Sequence, residues 1–366
     1  MRIYFASNRR YIEGAVPPFG NRYNLDGPAF YEVGYAELEP IPGAADADAA
    51  YRIASVEVEK GRPATPGRAG EDEFPASLAV FGDITREARE STRHVIAYLH
   101  GFNTSFDTCL HTAAQIHANW LPPKIGSIVF AFSWPADEGK GIGFGESGQS
   151  DVKWKYFSDR DDAEASGKAI ARSLRRLADF LVALRRADRE AGREPCPEQI
   201  HLVAHSMGNW ALRHALLSLR SLYAGARLPK LFANVFLMAA DEDADALEHP
   251  HKLGLLPQVA DAVHVYHARR DLALIVSDTT KRNPDRLGAW GPRSFDTLDA
   301  NIIGIDCNEV ADTLPRHGRH HYFRLRPEVF ADVRQVIAGR GPDQIRGRVA
   351  VRPGRQYRLK PASGKV

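Results

Sequence analysis

Between residues 93 and 340 two hydrophobic patterns alternate along the chain. Short runs near 93–99, 127–133, 199–204, 232–239, 262–267 and 301–306 are almost continuously apolar, as in strands buried on both faces. The stretches 106–119, 161–186, 207–219, 272–281 and 327–338 place apolar residues at helical spacing instead. Strands alternating with helices predict right-handed crossovers and a mostly parallel central sheet flanked by helices. Residues 1–90 break the rhythm. They are rich in Pro and Gly, with strand-like runs near 2–6 and 51–58, and predict a strand- and loop-rich extension joined to the core. The expected organisation is therefore 1–90 extension, 91–340 α/β core and 341–366 tail, with no internal repeat.

Composition narrows the class. The chain has 366 residues, 44% of them hydrophobic, enough for one large core. No stretch approaches the roughly 18–20 apolar residues that span a bilayer. Residues 1–10 lack the apolar h-region of a secretory signal. Cys109, Cys196 and Cys307 are odd in number and widely spaced, without metal-type pairing, and read as buried thiols in a reducing, cytoplasmic setting. The tail holds Arg346, Arg348, Arg352, Arg355, Arg358, Lys360 and Lys365 against Asp343 alone, in a chain whose net charge is only +2. Such an arm can meet nucleic acid or another anionic partner, but a solvated, peripheral extension is the simpler reading. Within it Val349-Ala350-Val351 has the pattern of an edge strand.

The densest chemistry lies at Ala204-His205-Ser206-Met207-Gly208, between the run 199–204 and the helical pattern from residue 207. A Ser before a helix is often an ordinary N-cap. Here small residues stand two before and two after it at a strand-to-helix junction, the pattern of a nucleophile elbow, with Ala204 in place of the usual Gly. The earlier strand-like run ends at His100-Gly101-Phe102-Asn103. A Gly there lets the chain turn so that an amide faces a developing oxyanion. The expected donors are the amides of Phe102 and Met207, with His100 as a structural histidine bonding its own loop.

These pieces, with Phe132-Ser133-Trp134-Pro135, the run 266–274 (Tyr266-His267-Ala268-Arg269-Arg270-Asp271 and onward) and His320-His321-Tyr322-Phe323, resemble bacterial α/β-hydrolases of the esterase/lipase superfamily that long carried a domain-of-unknown-function label. Phe5-Ala6-Ser7-Asn8-Arg9 resembles the N-terminal strand of that family. The resemblance runs from about residue 90 to about 335 and implies an α/β-hydrolase fold and a serine triad. It implies no particular substrate.

Triad order in this fold is Ser, acid, His. Two carboxylates stand at strand ends. Asp271 is favoured by its place after the later strand and by the family pattern. Asp241 opens an acidic stretch that reads as a helix N-terminus. For the base, His317, His320 and His321 share one loop, and the family pattern maps to His320. Three converging imidazoles also suggest a metal, but no further ligand stands at a typical spacing. The reading therefore calls for no metal and no cofactor. Gly143-Phe144-Gly145-Glu146-Ser147-Gly148 imitates a dinucleotide fingerprint without a strand leading into it, and 139–148 reads as a loop beside the site. Trp134, Phe106 and Trp210 are candidates to line an acyl pocket, though aromatics near strand ends are often core. Two functions follow. One is a serine hydrolase of a small-molecule carboxylic ester, with thioesters and amides as related substrates. The other is a hydrolase-fold binding protein without turnover.

Overall fold

The computed structural model describes residues 1–44, 50–59, 75–91, 94–120, 127–136, 149–194, 199–274, 285–315 and 319–362. The N-terminal strands are β1 (Arg2–Ser7), β2 (Arg9–Tyr11), β3 (Phe19–Tyr23), β4 (Glu32–Pro40) and β5 (Tyr51–Glu59). The central ones are β6 (His94–Leu99), β7 (Ser127–Ser133), β8 (Ile200–His205), β9 (Phe232–Met238), β10 (Ala260–His267) and β11 (Ile302–Asp306). Two more, β12 (Arg348–Arg352) and β13 (Gln356–Leu359), follow the last long helix, Pro327–Ile337.

Among the described residues eleven strands form one sheet in the order β12-β13-β11-β10-β9-β8-β6-β7-β1-β4-β5, with β2 and β3 paired separately. From β13 through to β1 neighbouring strands run parallel, and only β12, β4 and β5 pair antiparallel. The chain goes outward from β6 to β7, then returns to lay β8 on the other side of β6. In open α/β sheets a crevice opens at such a reversal, beyond the carboxyl ends of the two strands. Leu99 at the end of β6 pairs with Ala204 near the end of β8, so the segments that follow both strands leave the sheet side by side.

Side-chain alternation divides the core into two layers. Val95, Ala97 and Leu99 face α1 (Pro75–Ser91), α4 (Gly167–Glu190) and α5 (Gly208–Leu222). Ile96 and Tyr98 face α2 (Phe106–Asn119) and the last helix. Burial on both faces is why these strands read as continuous apolar runs.

Three segments differ from the sequence reading. Residues 75–91 form α1, inside the stretch expected to hold only strands and loops. Val80, Phe81, Ile84 and Ala88 bury one helical stripe against the sheet, so the period was present beside a Pro- and Gly-rich stretch. The single helix expected over 161–186 is two helices, α3 (Gln149–Ala165) and α4, broken at Ser166, whose hydroxyl accepts from Asn8 and donates to the carbonyl of Asp162. Of the helix expected over 272–281, residues 272–274 are described, and they are helical.

The basic arm is the third difference. It does not project from the body, because β13 pairs with β11 and buries Tyr357 and Leu359. Four of its charges meet carboxylates of the body. Arg348 forms a two-bond ion pair with Asp332, Arg352 meets Asp296, Arg358 lies near Asp306 and Glu309, and Lys360 bonds Glu309. Among the described residues no helix is long and apolar enough to cross a membrane.

Candidate active site

The turn after β8 is built by close approach. Gly208 leaves no room for a side chain, since a Cβ there would lie 2.5 Å from the carbonyl oxygen of His100 and 2.6 Å from that of Leu99. The chain reverses through Ser206 at φ +53°, a left-handed conformation that costs a non-glycine residue about 1–3 kcal/mol. Hydrogen bonds hold it there. The Ser206 amide donates to Met238 O, and the Ser206 carbonyl accepts from the amides of Asn209 and Asp241 and from Asn209 Nδ2. The Ser206 residue is 6% exposed.

The loop after β6 lies directly against this turn. A Cβ at Gly101 would sit 2.9 Å from Ser206 Cβ, so only glycine lets the two segments meet. His100 staples the loop to the segment after β7. Its Nδ1–H donates to Gly101 O at 2.9 Å and its Nε2 accepts from the Trp134 amide at 3.1 Å. The Trp134 indole stacks on it at 4.6 Å. Burial drives the pKa of His100 down to about 3, which keeps it neutral and suited to accept at one nitrogen and donate at the other. Beyond Gly101, Asn103 adopts φ +51° and its amide donates to the buried carboxylate of Asp159 on α3 at 2.8 Å. The amides of Phe102 and Met207 meet no acceptor among the described residues.

Asp271 and His320, distant in sequence, are bonded. His320 Nδ1 lies 2.6 Å from Asp271 Oδ2. Asp271 is 0% exposed, and its other oxygen accepts the amides of Ala273 and Leu274 in the helical residues that follow it. With Nδ1–H given to the carboxylate, the Nε2 of His320 is left as the acceptor. The segment carrying His320 is tied down at several points. Tyr322 donates to Tyr266 O and accepts from the Ala239 amide, while the Trp120 indole donates to Phe323 O. His205, the residue before Ser206, donates from Nε2 to the His320 carbonyl at 3.0 Å and stacks on Phe323 at 4.5 Å. Its pKa is held well below the ordinary histidine value, first by burial and then by the neighbouring His320, so it stays a neutral donor.

The remaining candidates are placed as follows. Asp241 accepts the Tyr156 hydroxyl at 2.6 Å and lies 3.7 Å from Arg286. His321 packs its ring 5.3 Å from that of His205. Trp134 and Phe106 are fully buried, the first on His100 and the second against Phe5 and Phe19. Trp210 is half-buried on α5. His317, Cys196 and the loop 139–148 lie outside the described residues. Among the described residues no group of three or more His, Cys, Asp or Glu side chains is arranged to hold a metal ion. Sequence reasoning missed Tyr156, Asp159 and His205. The first two act across 85 and 56 residues of chain, and no local pattern marks them. His205 stood inside the elbow motif and was readable as a candidate.

A parallel sheet with a strained Ser turn at its topological switch and an Asp–His pair on later strand ends defines an α/β-hydrolase architecture. In agreement, the model of a family described as "Alpha/beta hydrolase of unknown function (DUF900)" matches residues 82–340, and the chain belongs to that family. The matched part begins within α1 and ends before β12, leaving the strands at both sheet edges outside it. No curated protein and no solved structure matches the chain.

Proposed function

We propose that the chain is a serine hydrolase of carboxylic esters, with thioesters and amides as related acyl substrates. Ser206 Oγ attacks the acyl carbon and His320 Nε2 takes its proton. Asp271 holds the imidazole and stabilises the imidazolium, and the Phe102 and Met207 amides hold the oxyanion. Collapse of the tetrahedral intermediate expels the alcohol, which leaves with the proton from His320. Water then attacks the acyl-enzyme by the same route in reverse. These groups account for every proton and charge, so the scheme calls for no metal or cofactor. The buried thiols Cys109 and Cys307 suit a reducing cytoplasmic setting.

The observation that carries the reading is the 2.6 Å bond from His320 to a fully buried Asp271, on the segment that His205 ties to the Ser206 turn. Hydrolysis of p-nitrophenyl esters of graded chain length tests it. Ser206→Ala is expected to lower kcat by about 10⁴–10⁶, as when members of a triad act as a unit. Turnover surviving that substitution would contradict the assignment.

A further inference from the structure

Beside the Ser206 turn, α3 and the start of α5 gather charged and aromatic groups that the proposed triad does not use. Trp210 stands four residues after Ser206, and two guanidinium groups lie over its indole. Arg160 Cζ is 3.3 Å from the ring centroid and Arg213 Cζ is 4.5 Å from it. Arg213 is partnered, with Nη1 3.5 Å from Glu242 and Nε donating to the His251 carbonyl. Arg160 differs. Among the described residues it touches the Trp210 ring and, at 3.4 Å, the Tyr156 hydroxyl, and it meets no carboxylate within ion-pair distance. Glu164, one turn along α3, lies 3.6 Å from the Nε2 of His214, whose pKa burial lowers to about 4, so this neutral imidazole makes no ion pair with it.

Glu242 does not fully balance the two arginines. It is 1% exposed, its Oε1 has no hydrogen-bond partner among the described residues, and burial pushes its carboxyl up to about 7 despite Arg213 and Arg160. The cluster borders the reacting groups. Tyr156 lies 6.0 Å from Phe102, ring to ring, and donates to Asp241, whose amide donates to Ser206 O. Stacking occupies the face of a guanidinium and leaves its N–H edge available, the edge that binds a carboxylate through two parallel bonds.

We propose that Arg160, seconded by Arg213, forms a subsite for a carboxylate carried by the substrate, so that Ser206 acts on acidic esters in preference to neutral ones. This rests on the reading of Ser206 as the nucleophile and adds the substrate class to it. In this arrangement Trp210 is the platform that holds Arg160 half-buried beside the turn, and the substrate carboxylate supplies the ion-pair partner that Arg160 does not find among the described residues.

The test compares kcat/KM for mono-p-nitrophenyl glutarate with that for p-nitrophenyl pentanoate, a neutral ester of similar length. Wild-type protein should favour the glutarate ester, and the preference should shrink at about 0.5 M salt, where charges are screened within a few ångströms. Arg160→Gln should lower the acidic-to-neutral ratio by about ten- to hundredfold, the worth of hydrogen bonds to a charged group, chiefly through KM. Arg160→Lys, which keeps the charge and loses the fork, should fall between. A wild-type protein indifferent to the carboxylate, or equal losses on both esters in Arg160→Gln and Arg160→Lys, would overturn the subsite while leaving the hydrolase reading intact. If wild-type protein turns over neither ester and Ser206 resists a fluorophosphonate, the hydrolase reading falls and the subsite with it.

Discussion

Asp271 and Asp332 are both fully buried carboxylates with strong partners, yet those partners differ in kind. Asp332, on the last helix, takes two bonds from Arg348 at 2.6 and 2.7 Å and a third from the Tyr266 hydroxyl. Its cation is permanent, and the Asp332 bonds hold that guanidinium protonated against the cost of burial. Asp271 takes two backbone amides and an imidazole. That partner sits on a segment tied to the Ser206 turn. The first pair closes a sheet edge. The second leaves one nitrogen uncommitted. In the proposed mechanism the buried acid acts through a partner that keeps a free face.

Substitution should separate the two pairs. Asp271→Asn is expected to cost about 10⁴ in kcat, through a wrongly tautomeric or displaced His320, with little change in the melting temperature. Enzyme assay beside thermal unfolding checks this, and a large drop in melting temperature with normal kcat per folded molecule would erase the contrast. Arg348→Met should do the reverse. It strands Asp332 without its cation, for an expected loss of about 3–5 kcal/mol of stability by denaturant titration and unchanged kcat in what remains folded.

The Arg348–Asp332 pair was illegible in the sequence because charge counting treats a basic run as a solvated arm. What organises 348–359 is alternation, with Arg348, Tyr357 and Leu359 turned inward and matched to Asp332 and β11. Only Val349-Ala350-Val351 hinted at a strand. The Asp271–His320 pair was legible as a short set of alternatives, because strand ends and chain order restrict where an acid and a histidine can lie. Choosing His320 over its neighbours needed a family pattern. The central strands were plain because burial on both faces leaves a run of apolar residues. The supports from α3, Asp159 to Asn103 and Tyr156 to Asp241, depend on contacts across distant segments, which leave no periodic trace.

Acid sharpens the comparison in another way. His100 and His201 are both lowered to about 3, chiefly by burial, so each is neutral when folded and free to protonate when unfolded. The unfolded chain therefore binds more protons below about 6.5, and the stability present above that value is lost as pH falls from 6.5 toward 3. Each histidine contributes a slope of up to about 1.4 kcal/mol per pH unit in that window. Urea midpoints at pH 7 and pH 5.5 measure it, and equal or higher stability at the lower pH would count against neutral buried histidines.

The smallest effect expected is at His205. His205→Leu removes the donor to the His320 carbonyl, and the displaced segment should cost about ten- to hundredfold in kcat, with KM nearly constant. His205→Gln keeps an N–H donor and should recover part of the loss. Equal kcat in both variants would show that this bond does not position the base.

The most direct measurement is the mass of the adduct left by a fluorophosphonate probe, followed by peptide mapping. One adduct per chain is expected, on the peptide holding Ser206, absent from Ser206→Ala and strongly slowed in Asp271→Asn. An adduct on any other residue, or undiminished labelling of Ser206→Ala, would contradict the account at its centre.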